Sequence, residues 1–318
     1  MYGVTSGFRV PATTRFYSEM ADEPTLPSHS NRLSGRTCMI TGGTSGIGFA
    51  IAERFLQEGA TTVILVGRSQ ERLQAAAGRL DISKNHGDNA TGTSDKVRLL
   101  VGDVGETLHH GSMSWRKKWL APPYIAGATR TNIPQANVDI LVNAAGITIN
   151  NILPRAELQD ISDILRTNLE GAMLTSRALV RAAIRNRVRN RKTADDAEIS
   201  RSKCIINISS LLALKGGTGA VPYAATKAGL LGLTRSLAVE ASVSLKGAVI
   251  RSNAIVPGYI DTPMIADFTP GEVDRLKAMI PLHRFGKATE VADAAVFLAT
   301  NEYANNCILN LDGGLGAV

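Results

Sequence analysis

A chain of 318 residues, 44% hydrophobic and 20% charged, with a mean hydropathy of +0.02, has material for a full core and excludes wholesale disorder. Three cysteines (Cys38, Cys204, Cys307) without a C-x-x-C pair, and five scattered histidines, exclude a disulfide framework and a zinc site, so no metal is expected; no run of about 18 apolar residues could span a membrane. The net charge of +7 fits a mildly basic surface or an acidic partner, while 5% aromatics argue against a nucleic-acid stacking platform.

In chain order, residues 1–17 hold Arg9 and Arg15, several Ser and Thr, and no acidic side chain, the profile of a mitochondrial transit peptide. Arg15-Phe16-Tyr17-Ser18 also resembles a matrix-protease cleavage pattern, which places the mature protein in the mitochondrial matrix; an ordinary frayed terminus is the alternative. A flexible segment, 18–32, follows. From Leu33 short apolar runs alternate with helical periods. Strands are expected at Thr37–Ile40, Thr62–Val66, Val97–Val101, Ile140–Asn143, Cys204–Ile208, Ile250–Ile255 and Cys307–Leu311. Helices are expected at Ile47–Glu58, Gln70–Leu80, about Ser162–Asn186 and about Tyr223–Ala241. This alternation predicts an α/β fold: a doubly wound parallel sheet of seven strands flanked by helices, in a single domain over 33–318. All three cysteines fall in or beside strands and read as buried packing residues. Polar stretches at 81–96, 105–137 and 186–203 read as surface insertions on that scaffold.

The first strand runs into Thr41-Gly42-Gly43-Thr44-Ser45-Gly46-Ile47-Gly48 and then a helix. Glycines let the backbone approach a pyrophosphate, and the helix start offers unpaired N–H groups and its positive dipole end. The spacing, T-G-x-x-x-G-x-G, points to a dinucleotide held by Gly42, Thr44, Ser45, Gly46, Ile47 and Gly48. After the second strand stands Gly67-Arg68-Ser69 rather than an acidic residue. The Arg68 guanidinium suits a 2′-phosphate, so NADP(H) is the expected cofactor. Asp103, beside Val104 and just past the third strand, is placed to accept from an adenine amino group, or to cap a turn.

Tyr223 and Lys227 lie four apart on one helical face. An ammonium near a phenol favours the phenolate and is expected to lower the phenol pKa, which suits Tyr223 to general acid–base chemistry at a carbonyl or alcohol oxygen. Ser210 closes the fifth strand, where ligands bind in open α/β sheets, and its hydroxyl can steady the same oxygen; Ser209 is the alternative.

These residues resemble those of the short-chain dehydrogenases/reductases over Leu33–Gly314. The likeness is carried by TGGTSGIG, Asn143-Ala144-Ala145-Gly146, Asn168, Ser210, Tyr223 with Lys227, and Pro257-Gly258. The resemblance implies a Rossmann-type fold and a catalytic tetrad of Asn168, Ser210, Tyr223 and Lys227. Asn168 would hold a water in a proton relay, and Lys227 would bond the nicotinamide ribose. It also implies cofactor contacts at Asn143, Ala144, Ala145 and Gly146. Pro257, Gly258, Ile260 and Thr262 would close over the nicotinamide amide. Within the family the likeness is to 3-oxoacyl-[acyl-carrier-protein] reductases, including the mitochondrial carbonyl reductase branch. It rests on TNLEGAMLTSRA (167–178), Leu214-Lys215-Gly216-Gly217 and the run 280–300. This implies a 3-oxoacyl substrate on acyl carrier protein, a short lid between Thr262 and Pro281, and a homo- or hetero-tetramer. Arg177, Arg181 and Arg185 repeat every four residues, a stripe suited to an acidic carrier protein, a solvated face or a subunit contact. The chain departs from the family pattern in N-A-A-G for N-N-A-G, and in Asn305-Asn306 for Thr-Gly, where Asn can take the left-handed conformation.

Overall fold

The computed structural model describes residues 31–80, 96–104, 137–190, 202–244 and 249–318. The proposed transit peptide, the segment after it up to residue 30 and all but the edges of the three polar stretches lie outside these residues.

The central strands are β1 (Thr37–Thr41), β2 (Thr62–Gly67), β4 (Ile140–Asn143), β5 (Lys203–Ile208) and β6 (Ile250–Pro257); β3 (Val97–Val101) and β9 (Ile308–Leu311) form the edges. All pair in parallel in the order β3-β2-β1-β4-β5-β6-β9. The central strands read as nearly continuous apolar runs because helices cover both sheet faces. Alternate side chains serve alternate faces. Cys38, Ile40, Val63, Leu65, Ile140 and Val142 face one core with Phe55, Ile51 and Val296. Met39, Ile64, Val66, Leu141 and Ile205 face the other with Leu179 and Ala183. Cys38 and Cys204 are fully buried, and burial pushes both thiols up; Cys307 is only half-buried, at the exposed sheet edge, which corrects the expectation of three core cysteines.

Helix α1 (Gly46–Gln57) follows β1 and α2 (Gln70–Arg79) follows β2. The single long helix expected from about Ser162 is three pieces: α3 (Leu158–Ile164), a π-helical turn (Leu165–Glu170) and α4 (Gly171–Asn190). The wider turn has a local cause, since Asn168 within it is bonded to a neighbouring loop rather than left to the helix's own period. Helix α5 (Val221–Ser244) starts earlier and ends later than its periodicity suggested. Four further elements were not assigned from the pattern: β7 (Ile260–Asp261) and β8 (Gly286–Lys287), which pair as a two-stranded sheet, α6 (Pro270–Met279) in the lid, and α7 (Ala288–Thr300). A capping box of Thr269 and Glu272 with Pro270 at the first helical position starts α6. Asn306 takes φ 56°, and its N–H donates to the Ser252 carbonyl at 2.8 Å, so the turn before β9 keeps its left-handed residue without glycine.

Candidate active site

Strand order reverses between β1 and β4, and the crevice beyond their carboxyl ends is where a doubly wound sheet holds a ligand. Two loops line it. The first is 41–46. Gly42 has φ 68°, and a Cβ there would lie 2.8 Å from the Ala145 Cα; a Cβ on Gly48 would lie 2.4 Å from the Gly42 carbonyl oxygen. Only glycine permits this close stacking of turn on helix. The start of α1 has no side-chain cap from Ser45 and no acidic residue in its first turn. Its dipole and N–H groups therefore face an anion without competition, and the residues fit a pyrophosphate.

The second loop is 144–147. The Ala144 and Ala145 N–H groups both donate to Thr41 Oγ1 at 3.2 Å. Thr41 opened the glycine motif but was given no role there; it clamps the two loops together. The Asn143 side chain is engaged within the protein. Its amide donates to Asn207 at 2.8 Å and to Ser176 at 3.3 Å, and accepts from Thr175 at 2.7 Å. That buried network ties β4 to β5 and α4, so Asn143 shapes the loop floor and its side chain is spent within the protein. At the end of β2, Arg68 is exposed and Ser69 Oγ caps α2 by accepting from the Arg72 N–H at 3.2 Å. Ser69 thus serves first as a helix cap. Asp103 is half-buried past β3, and Val104 is buried against Gly171.

The turn Leu211–Ala213 follows β5, with Ser210 as its cap. The Ser210 side chain faces the Tyr223 phenol closely enough to draw its pKa down, and that phenol stands in the first turn of α5. Ser209 points elsewhere and donates to the Lys227 carbonyl at 2.8 Å, so Ser210 is the serine at the phenol. Lys227, one turn further along α5, places Nζ 5.5 Å from the Tyr223 ring centroid and donates to the Ile208 carbonyl at 2.8 Å. Asn168 reaches the same spot from the π turn. Its side chain accepts from the Ile147 N–H at 2.8 Å, donates to the Ile147 carbonyl at 2.9 Å and to Thr226 Oγ1 at 3.3 Å. A Cβ on Gly146 would lie 3.5 Å from both Asn168 Oδ1 and Lys227 Nζ, so loop, π turn and α5 converge there. Thr226, which no motif flagged, supports Asn168 from the helix that bears Tyr223 and Lys227.

Burial holds the Tyr223 phenol above its usual range, and the Ser210 side chain offsets only part of that. The lowering expected from Lys227 does not prevail, because both groups are desolvated and the ammonium stands over the ring rather than at the hydroxyl. Lys227 itself is pulled down from 10.5 to about 8 by burial. The phenol is accordingly in its acid form at neutral pH.

Pro257 ends β6 and Ile260, buried, opens β7; Thr262 brings its methyl to 3.4 Å from where a Cβ on Gly46 would stand. The 257–262 loop therefore lies over the start of α1. Arg177, Arg181 and Arg185 are all exposed on α4. That helix runs back towards the amino ends of the strands, where Asn186 meets Asn137 at 3.1 Å, so the stripe leads away from the cleft.

The sequence matches the profile of the family described as short chain dehydrogenase over residues 36–99, and that described as enoyl-(acyl carrier protein) reductase over 128–316. The chain belongs to the short-chain dehydrogenase family. It is an NAD(P)-dependent oxidoreductase acting on CH–OH and C=O groups. It is 34% identical to a 3-oxoacyl-[acyl-carrier-protein] reductase of Rattus norvegicus over 280 residues, 88% of this chain and 98% of that protein. With the protein of that name from Thermotoga maritima it shares 33% over 296 residues, 89% and 99% of the two chains. Among solved structures, a gluconate 5-dehydrogenase from Burkholderia cenocepacia in complex with NADP and tartrate superposes with a TM-score of 0.70 at 27% identity, over 91% and 98% of the two chains.

Proposed function

We propose that this short-chain dehydrogenase reduces a 3-oxoacyl group carried on acyl carrier protein to the 3-hydroxyacyl form, with NADPH. The convergence of Ser210, Tyr223, Lys227 and Asn168 on one spot beside the glycine turn carries the chemistry. The bound cofactor supplies the hydride. Tyr223, protonated at neutral pH, gives its proton to the carbonyl oxygen as negative charge develops there. Ser210 holds that oxygen by hydrogen bonding. Lys227 places a positive charge over the Tyr223 ring, 5.5 Å from its centroid, which favours the phenolate as the proton leaves. Asn168, fixed on Ile147 and Thr226, would hold a water that returns a proton to the phenol. Arg68, exposed where a 2′-phosphate would sit, supports NADPH over NADH.

The relatives named above support the acyl carrier substrate. So does the character of the cleft's surroundings. Ile152 and Leu153 after β4, Leu214 after β5, Val221 at the start of α5 and Met264 after β7 are all at least 43% exposed. These loops share the carboxyl end of the sheet, and the Asn151 N–H donates to the Gly219 carbonyl at 3.1 Å to join two of them. Apolar side chains there suit an alkyl chain better than a sugar acid. The basic net charge of +7 favours approach of an acidic carrier.

The experiment compares acetoacetyl and longer 3-oxoacyl thioesters on acyl carrier protein with quinones and sugar ketones, using NADPH and NADH in parallel. Thioesters with NADPH are expected to give the highest kcat/KM; preference for a sugar ketone would replace the substrate proposed here. Tyr223→Phe should lower kcat by at least about 10³-fold with NADPH affinity nearly intact, and substantial residual turnover would remove Tyr223 as proton donor. We also propose a mitochondrial matrix location, supported by Arg9, Arg15 and the absence of acidic residues before Ser18. A fluorescent fusion of residues 1–32 should enter mitochondria, and a diffuse cytosolic signal would refute it. Assembly as a tetramer is proposed with it, to be read from light scattering.

A further inference from the structure

Lys215 was singled out in the sequence only as part of a likeness, and the chemistry above gives it no task. Its amine donates to the Leu315 carbonyl at 2.9 Å and to the Val318 backbone oxygen at 2.5 Å. Its own N–H closes the turn that begins at Ser210, donating to the Leu211 carbonyl at 2.9 Å. The same turn is held by Ala213 N–H to the Ser210 carbonyl at 2.9 Å, Leu214 N–H to the Leu211 carbonyl at 2.9 Å, and Leu212 N–H to Ser210 Oγ at 3.2 Å. The position of the Ser210 hydroxyl is thus the position of this turn.

Ala213 packs against Leu231, Ala254 and Val256, and the turn has two further tertiary anchors. Leu211 is buried in a small apolar cluster with Leu276, Ile280, Phe285 and Leu315, the first three from the lid and its continuation. Lys215 supplies the other. The segment it grips is itself stiff: the Asp312 carboxylate accepts from the Gly314 and Gly316 N–H groups, both at 2.9 Å. Just before it, the Leu311 carbonyl accepts from Gly258 N–H at 2.8 Å, in the loop that lies over the start of α1. A continuous set of bonds therefore runs from the cofactor-side loop, through residues 311–318, to Lys215 and the serine turn.

We propose that Lys215 is a positioning residue for Ser210, holding the serine turn against residues 315–318 so that the hydroxyl stays at the Tyr223 phenol. A loose hydroxyl would meet the substrate oxygen and the phenol in only a fraction of molecules, while the glycine turn, remote from Lys215, would bind cofactor as before. An arginine can reach the same two oxygens; a methionine keeps the stem and loses both bonds.

The proposal rests on Ser210 as the partner of the substrate oxygen, and the test separates the two. In the full chain, Lys215→Met should lower kcat for NADPH-dependent reduction of an acetoacetyl thioester about tenfold, since small misplacements at a reacting centre cost rates of this order or more. NADPH Kd should be unchanged, and Lys215→Arg should recover most of the rate. Combined with Ser210→Ala, Lys215→Met should add no further loss, whereas a merely structural residue would lower activity by the same factor in both backgrounds. Hydrogen exchange of the Leu212 amide, read without substrate, should quicken in Lys215→Met and return to normal in Lys215→Arg. Unchanged kcat in Lys215→Met, equal losses in both backgrounds, or unchanged Leu212 exchange would overturn the proposal. If the wild-type chain reduced no ketone, the catalytic reading of Ser210 would fall, and Leu212 exchange would still decide whether Lys215 holds the turn.

Discussion

Lys227 is the residue at which catalysis and stability pull in opposite directions. It is 4% exposed, has one backbone acceptor at Ile208, and its pKa falls to about 8. Below that pH the folded and unfolded chains both carry the charge, and the burial penalty is present in full. Between about 8 and the unfolded value of 10.5 the unfolded chain binds the extra proton, so this group's contribution makes stability rise with pH across that window. Lys227→Met should therefore stabilise the fold at pH 7. The shift corresponds to about 3 kcal/mol, less about 1 for the lost hydrogen bond, a net gain of about 2 kcal/mol. Denaturant melts check the gain, and turnover should be lost in the same protein. In the wild type the reductive rate should fall on the alkaline side as Lys227 loses its charge near pH 8, read from a kcat/KM profile.

At the scale of elements, the π turn between α3 and α4 is the feature that periodicity misjudged, and it is also the one that carries a site residue. Single π-helical turns inside α-helices are frequently found at such places. Here the reason is visible, because Asn168 satisfies both the N–H and the carbonyl of Ile147 as a strand's ladder would. Asn168→Ala would leave both backbone groups of Ile147 without that partner, in a partly buried place. A loss of about 2 kcal/mol in stability is expected, with a fall in kcat larger than the stability loss explains. Circular-dichroism melts and steady-state kinetics on one preparation separate the two effects. Helices α6 and α7 were legible in principle: Thr269-Pro270-x-Glu272 is a helix-start signature, and Glu290 caps the other.

For the whole molecule, the two ends of the sheet do different work. The carboxyl ends hold the site. The amino ends hold a buried guanidinium, Arg251, which donates to Ser202 at 2.7 Å and to the carbonyls of Leu298, Ala299 and Ala304 at 2.7, 2.9 and 3.0 Å. Glu302, 3.8 Å away, balances its charge and also meets Arg36 at 3.0 Å. Arg251 thus closes the C-terminal end of α7 onto β6. Arg251→Met would strand those carbonyls, and a cost of about 3 kcal/mol is expected, a fall in Tm of roughly 10 °C. Activity per folded molecule should hold, since the cleft is at the far end of the strands; a large drop in kcat of the folded fraction would contradict this division.

The order of strands and helices, the glycine turn and the Tyr223–Lys227 pair could be read from consecutive residues, because periodicity and short spacings are local properties and the backbone obeys them wherever the chain goes. Other features depended on residues far apart in the chain. Ser210 rather than Ser209 meets the phenol because Lys227 claims Ser209. Asn143 is turned inward because Asn207, Thr175 and Ser176 surround it. Tyr223 stays protonated because packing removes water from both it and Lys227, and desolvation is set by what folding stacks around a group, which no spacing along the chain encodes.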